Sequence, residues 1–88
     1  MKARVNNVDL AYSEQGHGHP IVFLHAFPLN RTMWDPQVEA LTPSYRVITI
    51  DLRGHGESEA PMWRYTLEQF SDDIISLLQY LGIPQATF

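Results

Sequence analysis

The sequence predicts an α/β fold on a largely parallel sheet. Three observations carry this. Ile21-Val22-Phe23-Leu24 is a short continuous apolar run, and Arg46-Val47-Ile48-Thr49-Ile50-Asp51-Leu52 is a second run rich in β-branched residues. After each comes a segment whose apolar residues recur at helical spacing. An apolar run without alternation marks a strand covered on both faces, as crossover helices cover a parallel sheet. Strands alternating with helices are the pattern of such crossovers.

Each element has a local reason. Val8, Leu10 and Tyr12 alternate with Asp9, Ala11 and Ser13, which predicts a half-buried strand over Val8–Glu14. Asn6-Asn7 before it is a candidate two-residue hairpin turn, because Asn tolerates positive φ. Arg4-Val5 would then be the stub of an antiparallel partner. Gln15 to Pro20 is a polar loop. Asp35 is expected as N-cap with Pro36 at the first helical position, Trp34, Val38 and Leu41 on one stripe, and Pro43 as the stop.

The strongest local signals lie between Tyr65 and Ile83. Thr66 and Gln69 fit a capping box, and Tyr65 and Phe70 a hydrophobic staple. Leu67, Phe70, Ile74, Leu77, Leu78 and Leu81 recur at spacings of three and four, predicting a helix over 67–81. Gly82 suits a left-handed terminus and Pro84 forbids continuation. Ala86-Thr87-Phe88 opens a further strand.

Composition bounds the function. With 44% hydrophobic and 18% charged residues the 88-residue chain is globular and at most one small domain. Six Lys plus Arg against ten Asp plus Glu leave a net charge of −4, without the basic cluster that nucleic-acid binding needs. The absence of cysteine excludes disulfides, thiol catalysis and Cys-based metal sites within these residues. Met1-Lys2-Ala3-Arg4 is basic, but Val5-Asn6-Asn7-Val8-Asp9 is no signal-peptide core, and no apolar run reaches membrane-spanning length. A cytoplasmic protein without membrane partner is expected. Large catalytic folds do not fit in 88 residues, so the chain is either a small domain or a piece of something larger.

Two segments follow strands, where α/β sheets carry function. In His25-Ala26-Phe27-Pro28-Leu29-Asn30 a strand ends beside a small residue, which permits a sharp turn. Such a turn can leave backbone N–H groups for a developing oxyanion, although an ordinary strand-to-helix loop with a buried histidine has the same pattern. In Asp51-Leu52-Arg53-Gly54-His55-Gly56-Glu57-Ser58 the glycines suggest phosphate binding, but Glu59 stands at the third position of G-x-G-x-x-G and Pro61 interrupts any helix. A turn braced by Asp51, Arg53 and Ser58 is the favoured reading. Gly16-x-Gly18 precedes its strand and fails the same test. Asp51, His55 and Ser58 have nothing to align them as a triad. His17-x-His19 has no neighbouring carboxylate, and His17, His19, His25 and His55 are not expected to bind metal.

Together the two segments resemble the N-terminal part of the α/β-hydrolase superfamily, with esterase- and lactonase-like members in view. Val22-Phe23-Leu24-His25-Ala26-Phe27-Pro28 is similar to the family's strand and oxyanion loop, and Asp51 to Ser58 to its D-x-R-G-x-G-x-S signature. Met33-Trp34 before the first helix and Leu81-Gly82 after the last also fit. One departure is Ala26, where the family usually has Gly; Ala resists positive φ. The resemblance implies that Phe27 supplies an oxyanion N–H from its backbone within the loop at Ala26. His25 would be structural, and Arg53 and His55 would shape the second loop. Phe27 argues against haloalkane dehalogenases and for an ester, lactone or similar acyl substrate. No cofactor is implied.

The family's nucleophile sits on G-x-S-x-G. Ser13, Ser44, Ser58, Ser71 and Ser76 all lack that context. The expectation is therefore the N-terminal portion of a serine-type hydrolase, residues 1–88, without nucleophile, acid or histidine and inactive alone. The resemblance places strand 21–25 between strand 46–52 and the strand opening near Ala86, with an apolar edge exposed. Expected partners are the missing C-terminal half or a second copy through that edge, giving an oligomer. An alternative is a non-catalytic, hydrolase-derived module assembling through the edge. A small flavodoxin-like or nucleotide-binding domain is a distant third.

Overall fold

The computed structural model describes residues 1–25, 29–60 and 66–88. The chain opens with a hairpin of β1 (Lys2–Val5) and β2 (Val8–Gln15). Asn6 and Asn7 have φ of 48° and 65°, the positive pair of a tight turn matched to strand twist. Val5 faces Val8 and Lys2 faces Ala11, so β1 is a full strand rather than the expected stub at Arg4-Val5.

Beyond the loop, β3 (Pro20–Leu24) leads to one 3-10 turn at Arg31–Trp34, then α1 (Asp35–Leu41), β4 (Arg46–Ile50) and α2 (Leu67–Tyr80). The sheet order is β1-β2-β4-β3, with β2 antiparallel to β4 and β3 parallel to it. The two parallel strands therefore end side by side, and their carboxyl ends open in the same direction.

The core lies between the sheet and α2. Leu10, Ile48, Ile50 and Leu77 are inaccessible to solvent, and Val8, Val22 and Val47 nearly so. Gly16 has φ of 84°, and a Cβ there would stand 2.1 Å from the Tyr45 carbonyl oxygen. The β2–β3 loop thus needs glycine to cross the turn before β4.

Four further sequence expectations change. Asp35 is the first residue of α1, not its cap; the side chain of Asn30 takes the Thr32 N–H and starts the preceding 3-10 turn instead. The second strand stops at Ile50, because Asp51 and Leu52 turn away into the loop. Ala11, on the polar side of β2, is buried under that loop. In β3 only Val22 is buried; Ile21, Phe23 and Leu24 are half-exposed along the sheet's outer edge.

That edge carries one further rung. Ile21 bridges Thr87 in parallel register: Val22 N–H donates to the Thr87 carbonyl at 2.7 Å and Thr87 N–H to the Pro20 carbonyl at 3.0 Å. The expected neighbour of β3 near Ala86 therefore begins on the predicted side.

α2 matches its signals. Thr66 Oγ1 accepts from Gln69 N–H and Gln69 Oε1 from Thr66 N–H, both at 3.1 Å. At the other end Ile83 N–H reaches the Leu78 carbonyl and Gly82 N–H the Gln79 carbonyl, with Gly82 at φ of 72°. This pair of bonds satisfies carbonyls the helix leaves open. Tyr65, the other half of the expected staple, lies outside the described residues.

Candidate active site

The buried polar side chains gather at one end of the sheet. Among the described residues they are His25, Thr49, Asp51, Arg53, Ser58 and Asp73, and all but Asp73 lie in or directly beyond the ends of β3 and β4. A buried polar group costs free energy unless bonded, so such a concentration needs a network.

Asp51 is the hub. Its carboxylate accepts Arg31 N–H at 2.7 Å and Glu57 N–H at 3.0 Å, and pairs with the Arg31 guanidinium. Gly56 packs on it so closely that a Cβ would lie 2.4 Å from Asp51 Cγ; with φ of 50° the position needs glycine twice over. Arg31 also reaches Ser13 Oγ at 3.1 Å and Glu57 Oε1 at 2.8 Å. Burial lowers the proton affinity of the Arg31 guanidinium, but the Glu57 hydrogen bond and the Asp51 charge outweigh it and leave it raised. The bond from Arg31, then its charge, holds the Glu57 carboxyl below its ordinary value.

Ser58 locks the turn to the hairpin. Its hydroxyl donates to the Asp51 carbonyl at 2.5 Å while its oxygen accepts Ala11 N–H at 2.8 Å. A hydroxyl so committed braces backbone and is not poised to attack. Arg53 leaves the turn for the core side, where Nε and Nη2 grip both oxygens of Asp73 at 2.6 and 2.7 Å. Asn6 Nδ2 adds a third bond to Asp73 at 2.8 Å. Turn, hairpin and α2 are thus tied together by one buried carboxylate.

His25 ends β3 with its ring inside. Its Nε2 accepts the Leu52 N–H at 3.0 Å, so that nitrogen carries no proton. The His25 and His55 rings stand 5.1 Å apart, and His55 Nδ1 bonds the Arg53 carbonyl. The His25 ring thus joins the end of β3 to the loop after β4. His17, His19, His25 and His55 are not gathered with carboxylates into a metal-ligating group among the described residues.

Ala26 and Phe27, assigned to the oxyanion loop from the resemblance, lie outside the described residues. Both flanks of that segment are described. On one side His25 is bonded to Leu52, and on the other Arg31 is bonded to Asp51. The loops from β3 and β4 are therefore fastened to each other at two points. Of the expected brace, Asp51 and Ser58 hold the turn itself, whereas Arg53 ties it to α2 and the hairpin; two partners were missed. Asp73 was legible: it sits three residues after Phe70 and four before Leu77, on the apolar stripe, where an acidic residue demands a buried partner. Arg31 gave no such signal, since it opens the 3-10 turn and its partner Asp51 stands 20 residues away.

Beside these loops, Leu24, His25, Leu52, Phe70, Ile74 and Phe88 line an open apolar cleft of about 490 Å³.

Known proteins share this fold. The family model described as the alpha/beta hydrolase fold matches residues 19–88. The non-heme chloroperoxidase CPO-A1 of Kitasatospora aureofaciens is 39% identical over 84 residues, covering 93% of this chain and 30% of the relative. A thermophilic esterase from Thermogutta terrifontis superposes with a TM-score of 0.86 at 40% identity, over 93% of this chain and 32% of that one. The epoxide hydrolase VrEH1 of Vigna radiata gives 0.93 at 36% identity, over 98% and 29%. The chain spans less than a third of the length of these proteins. On its paired loops, its mixed sheet and the match over residues 19–88, the chain belongs to the α/β-hydrolase fold family.

Proposed function

We propose that these residues are the N-terminal portion of a serine-type hydrolase acting on an ester or other acyl substrate. The observation that carries the reading is the fastening of loop 25–31 to loop 51–58 at the carboxyl ends of two parallel strands. In this reading the loop at Ala26 offers the backbone N–H of Phe27 to the oxyanion that forms when a nucleophile adds to the acyl carbon. Fixed donors aimed at developing charge lower the barrier, each by about 3 kcal/mol. The nucleophile, its acid and its histidine come from polypeptide other than these 88 residues, which hold no G-x-S-x-G. That polypeptide is also the proposed partner. It adds a parallel strand outside β3, continuing the rung at Ile21 and Thr87, and fills the apolar cleft bounded by Leu24, Leu52, Phe70 and Ile74.

The esterase among the similar structures supports acyl chemistry, and the epoxide hydrolase supports a different electrophile on the same sheet. The test is hydrolysis of p-nitrophenyl acetate by the full-length product of the gene and, separately, by residues 1–88. The expected result is turnover by the first and none above background by the second. Turnover by residues 1–88 alone, or none by the full-length product on short acyl esters, overturns the reading.

A further inference from the structure

Trp34 holds the one buried side-chain polar atom without a hydrogen-bond partner among the described residues, its indole Nε1. An indole nitrogen can only donate, and a buried N–H left unbonded costs free energy, so a buried tryptophan usually has an acceptor. The Trp34 ring lies on Phe23, with centroids 4.8 Å apart. Val22 points into the α2 core, so Ile21 and Phe23 point to the opposite face of the sheet. There Val47 and Thr49, their register partners in β4, are buried, but Ile21 and Phe23 are only half covered. Neither the 3-10 turn nor α1 has a buried residue, and Leu29 and Met33 are exposed. This second apolar face is therefore open where it meets the outer edge of β3. The same edge receives Thr87 opposite Ile21. A strand continued in that register sets every second residue, counted from Thr87, on the face of Ile21 and Phe23, beside the Trp34 ring. The similar proteins, of which this chain spans less than a third, have further polypeptide to cover it.

We propose that Trp34 is an interface residue whose indole N–H donates to an oxygen acceptor on the polypeptide that adds the strand outside β3. That polypeptide then covers the face of Ile21, Phe23 and Trp34 as well as the cleft on the α2 side. The inference rests on the reading above for the presence of the polypeptide, not for its chemistry. An apolar face alone accepts a partner in several positions. One buried donor selects among them, because every position without the acceptor leaves the N–H unbonded.

The experiment uses the full-length product of the gene in two forms, the parent and one with Trp34 replaced site-specifically by benzothienylalanine, which keeps the shape of the ring and puts sulfur in place of N–H. A crystal structure of the parent should show an oxygen from outside residues 1–88 at about 2.7–3.2 Å from Trp34 Nε1. The benzothienyl form should melt about 2–4 °C below the parent, the size of one hydrogen bond in a protein of that length. Should that form fail to fold, the crystal structure of the parent carries the test. A Trp34 Nε1 that meets only solvent or an atom of residues 1–88 overturns the inference. So does a benzothienyl form that melts with the parent or above it, as it would on losing a donor that never had a partner. A parent that shows the bond but does not hydrolyse p-nitrophenyl acetate overturns the hydrolase reading alone, whereas an active parent without the bond overturns this inference alone.

Discussion

Ser58 and Glu57 stand side by side in the signature turn, yet they stabilise it differently. Ser58 is buried and its hydroxyl serves two backbone groups, Ala11 N–H and the Asp51 carbonyl. Ser58→Ala leaves both without that partner, which should cost about 2–3 kcal/mol in urea unfolding; a change under about 0.5 kcal/mol would contradict the brace. Glu57 works by charge. Its carboxyl is held low by the bond and charge of Arg31, so the folded form binds a proton less readily than the unfolded form. The resulting stability is complete above the ordinary glutamate value of about 4.3 and is lost as the pH falls through the lowered one. The parent should therefore lose more stability than Glu57→Gln when the urea midpoint is followed from pH 6 to pH 3. Equal losses would remove the ion pair from the account. At this scale the sequence was legible wherever a motif named its own partners, as for Ser58. It was mute for Arg31, whose partner is brought close only by folding.

Elements with chemical punctuation were read almost to the residue. The capping box at Thr66 and Gln69 and the left-handed Gly82 bound α2 as expected, because capping is local chemistry. Thr66→Ala should cost about 1 kcal/mol, measured by the same unfolding assay. α1 was misread at its start because two capping candidates, Asn30 and Asp35, stand five residues apart and a 3-10 turn runs between them into the helix. Side-chain burial in β3 was also overestimated, since a run of apolar residues signals a strand but not how many neighbours cover it. The joint between elements is the Arg53–Asp73 pair, 8% and 2% exposed. Asp73→Ala takes the carboxylate away from a buried guanidinium between hairpin, turn and α2 and should cost about 3–5 kcal/mol. A milder effect would mean that Arg53 finds water on leaving the pair.

Across the whole molecule the sheet is asymmetric. Its β1 side ends in the hairpin, with α2 packed against β1, while its β3 side carries, among the described residues, one rung to Thr87 beside an apolar cleft. Leu67, Ile75 and Phe88 are exposed near that cleft, at 82%, 52% and 67%. Residues 1–88 by themselves should therefore associate or aggregate through this side, read by light scattering after gel filtration. A stable, cooperatively melting monomer would contradict the need for a partner strand. Fold and family were legible because two loop motifs in order, with the right elements between, leave few topologies. Substrate was not, since the loops set the site's floor and the remaining walls belong to other polypeptide in the proposed assembly. The central claim, that these loops serve a serine nucleophile carried elsewhere, is tested most directly by labelling the full-length product with a fluorophosphonate and mapping the modified residue. The account predicts one labelled serine, outside residues 1–88 and within G-x-S-x-G. Label on Ser13, Ser44, Ser58, Ser71 or Ser76, or ester turnover with no labelled serine, would contradict it.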